Sequence, residues 1–74
     1  MSWNYRLLEK EYEGEPYYVV VEVYYDDEGG IQGWTDKAYP LGSTLDELKE
    51  DLRYFNKALD KPVLIEKELP GYEK

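Results

Sequence analysis

The fold of this chain is decided by the stretch Tyr17-Tyr18-Val19-Val20-Val21-Glu22-Val23-Tyr24-Tyr25. Every residue in it except Glu22 is β-branched or aromatic, and these residue types favour extended strands. Side chains alternate between the two faces of a strand, so the odd positions form a face without charge and the even positions include Glu22. The odd face is therefore the predicted core face. A chain this short has little polypeptide with which to cover the even face, and an open aromatic face is typical of a docking surface.

Length and composition restrict the function classes. The chain has 74 residues, which predicts one domain spanning 1–74, close to the lower size at which a single core holds a fold together. It carries 17 acidic and 9 basic residues for a net charge of −8. This balance disfavours direct nucleic-acid binding, which depends on basic patches, and it disfavours an anionic membrane surface. The absence of cysteine, of a signal sequence and of a long apolar run indicates a cytoplasmic protein.

Two further strands are expected around the central one. Residues 3–12 alternate in polarity and predict a first strand, and residues 13–16 contain glycine and proline and predict a turn. Residues 26–30 combine three acidic side chains with two glycines, which is typical of a hairpin connection. Residues 31–38 predict a third, weaker strand because they contain Gly33.

A helix is predicted over residues 44–60. Thr44 and Glu47 have the spacing of a capping box, so Thr44 is the expected N-cap. Proline disfavours the helical conformation at the residue before it, so Pro62 ends the helix. We expect a short terminal strand over residues 62–66 and a frayed tail over residues 69–74. The apolar residues at helical spacing form one stripe: Leu45, Leu48, Leu52, Phe55 and Leu59.

These elements predict an α+β fold of the order β-β-β-α-β. An antiparallel three-stranded meander carries one helix packed on one face, followed by a short terminal strand. The helix is expected to cover the odd face of the second strand together with Trp3, Tyr5 and Leu7. The opposite face is then the predicted interaction surface, for which the candidate residues are Leu8, Tyr12, Tyr18, Tyr24 and Trp34.

The residues that most often carry catalysis are missing. The chain has no histidine and no cysteine, and its two serines are Ser2 and Ser43. Any two of the 17 acidic residues can be paired on paper, so a carboxylate pair is not a specific signal. The acidic run that starts at Asp26 does not fit a calcium loop, because the ligands would have to alternate and the twelfth position is Lys37 instead of glutamate. We expect no enzyme activity, no catalytic or metal-binding residues and no cofactor.

Five short segments spread along the chain form a specific pattern: Trp3-Asn4-Tyr5-Arg6, Glu22-Val23-Tyr24-Tyr25-Asp26, Gly33-Trp34-Thr35, residues 44–52 and Lys61-Pro62-Val63-Leu64. Through this pattern the chain resembles, over nearly its whole length, a group of short bacterial proteins of unknown function. The resemblance implies a stand-alone domain and brings no activity.

A second, weaker resemblance covers residues 17–59. It is carried by Tyr18-Val19-Val20-Val21-Glu22, the acidic, glycine-containing hairpin at residues 26–30 and the helix entry Gly42-Ser43-Thr44-Leu45-Asp46-Glu47-Leu48. These segments resemble the N-terminal domain of HicB-type antitoxins, in which a short meander carries such a hairpin and enters its helix through a similar segment. The resemblance implies an antitoxin-like or regulatory role.

Two functional hypotheses follow from the sequence. The first is a non-enzymatic protein-interaction module whose open aromatic face binds another protein or a second copy, with a homodimer as the expected state. The second is an acidic inhibitor, of the phage anti-defence type, that imitates nucleic-acid charge and occupies the basic groove of another protein. Its candidate surface consists of Asp26, Asp27, Glu28, Asp46, Glu47, Glu50 and Asp51.

Overall fold

The computed structural model describes residues 2–72. The α+β class and the predicted order of strands and helix are confirmed. The elements are β1 (Ser2–Tyr12), β2 (Glu15–Tyr25), β3 (Ile31–Trp34), α1 (Leu45–Asn56), a 3-10 turn (Lys57–Asp60), β4 (Leu64–Ile65) and a second 3-10 turn (Glu66–Glu68).

The four strands form one sheet in the order β3-β2-β1-β4. β1 and β2 pair antiparallel from Ser2 opposite Tyr25 to Tyr12 opposite Glu15, and β3 continues the antiparallel meander on the far side of β2. β4 lies on the other edge and runs parallel to β1, with Leu64 opposite Leu8. The parallel direction follows from the helical crossover, which carries the chain back to the end from which β1 started.

The third strand is shorter than predicted. It ends at Trp34 rather than at residue 38. The chain nevertheless stays beside β2, because the backbone N–H of Thr35 donates to the carbonyl of Glu22 at 3.0 Å and that of Ala38 donates to the carbonyl of Val20 at 2.8 Å. Residues 35–38 therefore remain next to β2 through isolated hydrogen bonds, although they are not part of the regular strand.

Helix α1 begins as the sequence predicts. The Thr44 hydroxyl accepts a hydrogen bond from the Glu47 backbone N–H at 3.1 Å, which confirms Thr44 as the N-cap. A β-carbon at Gly42 would lie only 2.5 Å from the Leu48 nitrogen, so the loop passes too close to the helix for any larger residue. α1 ends at Asn56. Within residues 2–72, no helix combines the length and the apolar character that crossing a membrane requires.

The turn between β1 and β2 decides which side chains share a face. It consists of Glu13 and Gly14, both with positive φ, as in the tight turns that suit twisted hairpins. A two-residue turn places Tyr5 opposite Glu22, so odd positions of β1 share a face with even positions of β2. The prediction that Trp3, Tyr5 and Leu7 join the odd face of β2 was therefore wrong.

The core lies on the face formed by odd positions of β2 and even positions of β1. Leu8, Val21 and Val23 are fully buried there, which confirms the charge-free face of β2 as the core face. The prediction that the helix covers this face was wrong. Side chains of β2, β3 and β4 surround the buried residues on the same face, and Leu69 of the C-terminal segment packs against them from outside the sheet. The partly buried residues packed against the core are Val19, Tyr25, Ile31, Trp34, Leu64 and Leu69.

The C-terminal segment is part of this cover. Leu69 packs on the core, and the Tyr72 backbone N–H donates to the Leu69 carbonyl at 3.2 Å. The prediction of a frayed tail was therefore wrong for residues 69–72. Residues 73–74 lie outside the described part of the chain.

Helix α1 lies on the opposite face of the sheet, here called the helix-side face. The rings of Tyr5 and Phe55 stack with 3.9 Å between their centroids, and Ala58 in the following 3-10 turn is buried. These contacts fix the helix against the first half of β1. The second half of the same face has no helix above it.

Candidate functional site

The predicted interaction residues do not form one surface. Tyr18 and Tyr24 lie on the helix-side face, whereas Leu8, Tyr12 and Trp34 belong to the core-side face. Leu8 is fully buried and cannot contact a partner, so its assignment to an open face is corrected. The cause is again the two-residue turn, which pairs even positions of β1 with odd positions of β2.

Trp34 is held in place by a polar cluster at the rim of the core. Its ring nitrogen donates to a Glu66 carboxylate oxygen at 3.0 Å. The Lys10 ammonium pairs with Asp36 and lies 3.8 Å from the same oxygen of Glu66. Burial lowers the pKa of Lys10, but the hydrogen bond to Asp36 and the nearby carboxylates outweigh it, so the pKa is raised. These contacts tie the β3 side of the sheet to the C-terminal segment, which gives Trp34 a structural role.

The two tyrosines on the helix-side face differ in availability. Tyr18 is exposed, and its hydroxyl donates to Glu9 at 3.1 Å, the contact that chiefly raises its pKa. Tyr24 is half-buried at the other end of the sheet, opposite Trp3, and donates to Glu22 at 2.9 Å. Tyr18 therefore remains a candidate contact residue, while Tyr24 borders a different site.

The uncovered half of the helix-side face forms a shallow groove of about 330 Å³. Leu7, Tyr18 and Val20 line the groove from the helix-side face of the sheet. Val63, which follows the helix in the chain, also lines it. Leu7 and Val20 are directly opposite each other and are half-buried. We call this feature the sheet groove.

The apolar stripe of the helix is divided in two. Leu48 and Phe55 are half-buried, but Leu45, Leu52 and Leu59 remain 66%, 47% and 67% exposed. α1 contains no fully buried residue. The prediction that the whole stripe closes over the core was therefore wrong. We call the three exposed leucines the leucine row.

On the other flank of α1 there is a cleft of about 730 Å³, here called the acidic cleft. Among residues 2–72, its lining contains five carboxylates, four aromatic rings and Leu41, and no lysine or arginine. The aromatic residues are Trp3, Tyr5, Tyr39 and Tyr54, and the acidic residues are Glu22, Asp46, Glu47, Glu50 and Asp51.

Three of the rings support one another. Trp3 lies 5.1 Å from Tyr5 and 5.3 Å from Tyr54 between ring centroids, and Tyr5 lies 5.4 Å from Tyr54. All three pairs meet edge to face, the arrangement that the ring quadrupoles favour. The aromatic wall is therefore a rigid feature of the fold.

Asp51 joins three parts of the structure. One of its oxygens accepts from the Tyr5 hydroxyl at 3.0 Å, and the other accepts from the Leu41 backbone N–H at 2.9 Å. Burial raises the pKa of Tyr5 to about 12, with help from Asp51 and from the charge of Glu22. Because burial is its main cause, the raised pKa chiefly reflects the loss of solvent around the Tyr5 hydroxyl at the floor of the cleft.

This arrangement predicts a stability difference that depends on pH. Tyrosine in an unfolded chain has a pKa of about 10. As the pH rises from about 10 to about 12, the unfolded state loses the Tyr5 proton first, so the contribution of Tyr5 to stability falls. The Tyr5→Phe variant lacks the Tyr5 hydroxyl but keeps all the other titratable groups of the protein. We expect its deficit in free energy of unfolding, about 1 to 2 kcal/mol at pH 8, to shrink across this pH range in urea titrations. A constant deficit would contradict the raised pKa.

The seven acidic residues of the inhibitor hypothesis fall into two groups. Asp46, Glu47, Glu50 and Asp51 all line the acidic cleft, where Asp51 is engaged by Tyr5 and Leu41 and Glu50 pairs with Arg53. Asp26, Asp27 and Glu28 lie in the β2–β3 turn and do not line it.

Asp26 has a structural role in that turn. Its carboxylate accepts from the backbone N–H groups of Glu28 at 2.9 Å and Gly30 at 2.8 Å, which closes the connection between the strands. Within residues 2–72, histidine, cysteine and carboxylate side chains form no group of three or more suited to holding a metal ion.

Sequence reasoning missed Glu22 as a member of the acidic cleft. The signal that could have indicated a site was the position of Glu22, which is the one charged residue in the run 17–25. Trp3, Tyr39 and Tyr54 were also missed, because they are far apart in the sequence and only the packing of α1 brings them together.

Comparisons of this chain with protein-family models, with curated proteins and with solved structures found no match. The resemblances to the short bacterial proteins and to HicB-type antitoxins therefore remain predictions.

Proposed function

We propose that this protein is a non-enzymatic, cytoplasmic protein-interaction module that binds a second copy of itself through the leucine row and the sheet groove. The observation that carries the proposal is the exposure of Leu45 and Leu52 on α1, which has no buried residue, and of Leu59 in the 3-10 turn that follows it. Amphipathic helices bury their apolar side, so an exposed row of leucines indicates a missing partner.

The spacing of the row favours a second copy as that partner. Leu45 and Leu52 are two helical turns apart on one side of α1, and Leu59 continues the seven-residue interval into the 3-10 turn. Leucines at this interval interdigitate with the same row of a second helix, and a two-fold axis lets each copy present the same surface to the other.

The charge around the row permits self-association despite the net charge of −8. At 3.6 residues per turn, Lys49, Arg53 and Asn56 follow the row on its outer side. The acidic side chains of α1 that line the acidic cleft lie on the opposite flank. Two copies that meet along the row therefore keep their acidic flanks apart.

The small core gives a second reason. The buried apolar residues within 2–72 are Tyr5, Leu8, Val21, Val23 and Ala58. Complete burial of a leucine side chain contributes about 1.5 to 3 kcal/mol. In the single chain the leucines of the row are about half to two-thirds exposed, so most of this contribution is still available to an interface. Covering it in a dimer adds apolar burial to a domain whose own core is small.

The oligomeric state tests this proposal. In sedimentation velocity runs across a concentration series we expect a species of twice the 8.8 kDa chain mass. The double variant Leu52→Ser and Leu59→Ser removes two leucines from each copy of the two-fold dimer, so four side chains of about 1 to 1.5 kcal/mol each are lost and the dimer dissociation constant should rise about 10³- to 10⁴-fold.

Two control variants separate the surface from general effects. Leu41→Ser changes a leucine that is 70% exposed but lies outside the row, and Tyr12→Ser changes a tyrosine that is 68% exposed at the end of β1. Both should dimerise like the unchanged protein. A protein that stays monomeric at millimolar concentration, or controls that weaken the dimer as much as the double variant, would overturn the proposal.

A further inference from the structure

The acidic cleft combines aromatic rings with carboxylates. Its walls are aromatic rings, and Trp3 and Tyr39 are exposed at its surface. The negative face of an aromatic ring attracts ammonium and guanidinium groups, most strongly in the case of tryptophan. The chain already uses this interaction, because Lys57 lies 5.3 Å from the Tyr54 ring centroid and Lys37 lies 5.5 Å from that of Tyr39.

Most carboxylates of the cleft have no ion pair within residues 2–72. The lining has five carboxylates and no lysine or arginine, and only Glu50 among the five has an ion pair within residues 2–72, with Arg53. Glu22 is half-buried in the middle of β2, and its hydrogen bond comes from the neutral Tyr24 hydroxyl. Low-dielectric walls around carboxylates of one sign concentrate the negative potential.

The shape of the cleft fits an extended segment. Asp46, Glu50 and Tyr54 follow one another at four-residue intervals along α1 and all line it. At 1.5 Å per residue the cleft therefore runs along roughly 12 Å of helix. A single small cation would fill only part of this length, whereas a stretch of peptide places a side chain between the rings and lies along the remaining carboxylates.

From these observations we infer that the acidic cleft binds an arginine or lysine side chain presented by an extended segment of a partner protein. The cation lies against Trp3 and above Glu22, and Asp46 and Glu47 flank the segment. The site is on the opposite flank of α1 from the leucine row. The inference does not depend on the proposed self-association, because the two surfaces share no residue.

The test uses the two tryptophans as reporters on opposite faces of the sheet. The full chain, labelled with nitrogen-15, is titrated with a short capped peptide of alternating glycine and arginine at low ionic strength. We expect the indole N–H signal of Trp3 to move with the peptide concentration. The signal of Trp34, which is hydrogen-bonded to Glu66 on the core-side face, should stay in place.

Matched variants identify the residues responsible. Glu22→Gln keeps the shape and the hydrogen-bond acceptor but removes the charge, and we expect about 5- to 10-fold weaker binding. Glu28→Gln removes the same charge from the exposed β2–β3 turn outside the cleft and should bind like the unchanged protein. Equal weakening by both variants would mean that net charge alone attracts the peptide, and this would overturn the inference.

Two further probes test the chemistry and the length of the ligand. A peptide with citrulline in place of arginine keeps the shape without the charge and should not bind. Free argininamide carries the cation without the segment and should bind at least about 10-fold more weakly than the peptide. Binding of the citrulline peptide, or equal binding of argininamide, would overturn the assignment to a basic protein segment, as would an unmoved Trp3 signal at millimolar peptide.

Discussion

Leu8→Ala is expected to lower the free energy of unfolding by about 3 to 4 kcal/mol. Leu8 is completely buried on the core face, in one cluster with Val21 and Val23 of the neighbouring strand β2 and with Leu64 of β4, the strand on the other edge of β1. Alanine would remove its transfer free energy and leave a cavity that a small core closes only in part. A domain of this size rarely has more than about 3 to 5 kcal/mol in total, so a large fraction of the variant should be unfolded at 25 °C.

The measurement is urea denaturation followed by far-ultraviolet circular dichroism, at a concentration below any self-association. Leu41→Ala is the matched control, because it makes the same change at an exposed site and should cost less than about 0.5 kcal/mol. A Leu8→Ala protein that keeps its stability and loses partner binding would contradict the burial of Leu8 and restore its predicted place on the open face.

Tyr5→Ala should release α1 from the sheet. The ring stacks on Phe55, meets Trp3 and Tyr54 edge to face, and carries the hydroxyl that donates to Asp51. Truncating a buried aromatic residue costs about 3 to 5 kcal/mol, to which the lost hydrogen bond contributes. Because the fully buried core residues lie on the other face and the lost contacts of Tyr5 are mostly with α1, the cost should fall mainly on the docking of the helix, and we expect the sheet to outlast it.

Amide hydrogen exchange by residue tests this order. In Tyr5→Ala the amides of α1 should lose most of their protection, while those in the centre of the β1–β2 hairpin keep more of theirs. Tyr12→Ala removes the same side chain from the exposed end of the same strand and should leave α1 protected. Undisturbed α1 amides in Tyr5→Ala would show that other contacts hold the helix. The variant should also abolish peptide binding at the acidic cleft.

Local rules were sufficient for the elements themselves. The run of β-branched and aromatic residues in β2 and the side-chain cap at Thr44 depend only on near neighbours, and both are present as predicted. The ends of elements were less predictable. β3 stops at Trp34, although the chain follows β2 as far as Ala38, because the later contacts are isolated hydrogen bonds rather than a regular ladder.

The assignment of faces failed for a single reason. The alternation of side chains along β1 and along β2 follows from the sequence. Which face of β1 lies beside which face of β2 depends on the number of residues in the turn between them. With the turn restricted to Glu13 and Gly14, Leu8 joins the odd face of β2 in the core, whereas Tyr5 lies beneath the helix as predicted but opposite Glu22 of the even face. A one-residue change of register exchanges the two faces of a strand, so the unknown turn length altered which residues of β1 were predicted to share the core face of β2.

The sequence alone determined that this is a small acidic α+β domain with a meander, a capped helix and one charge-free strand face, because those features depend on composition and on neighbours in the chain. Only the tertiary structure decided that the C-terminal segment covers that face, that the helix lies on the other one, and that Trp3, Glu22 and Tyr54 border a common cleft. These outcomes depend on strand register and on contacts between residues far apart in the chain, which no local pattern contains.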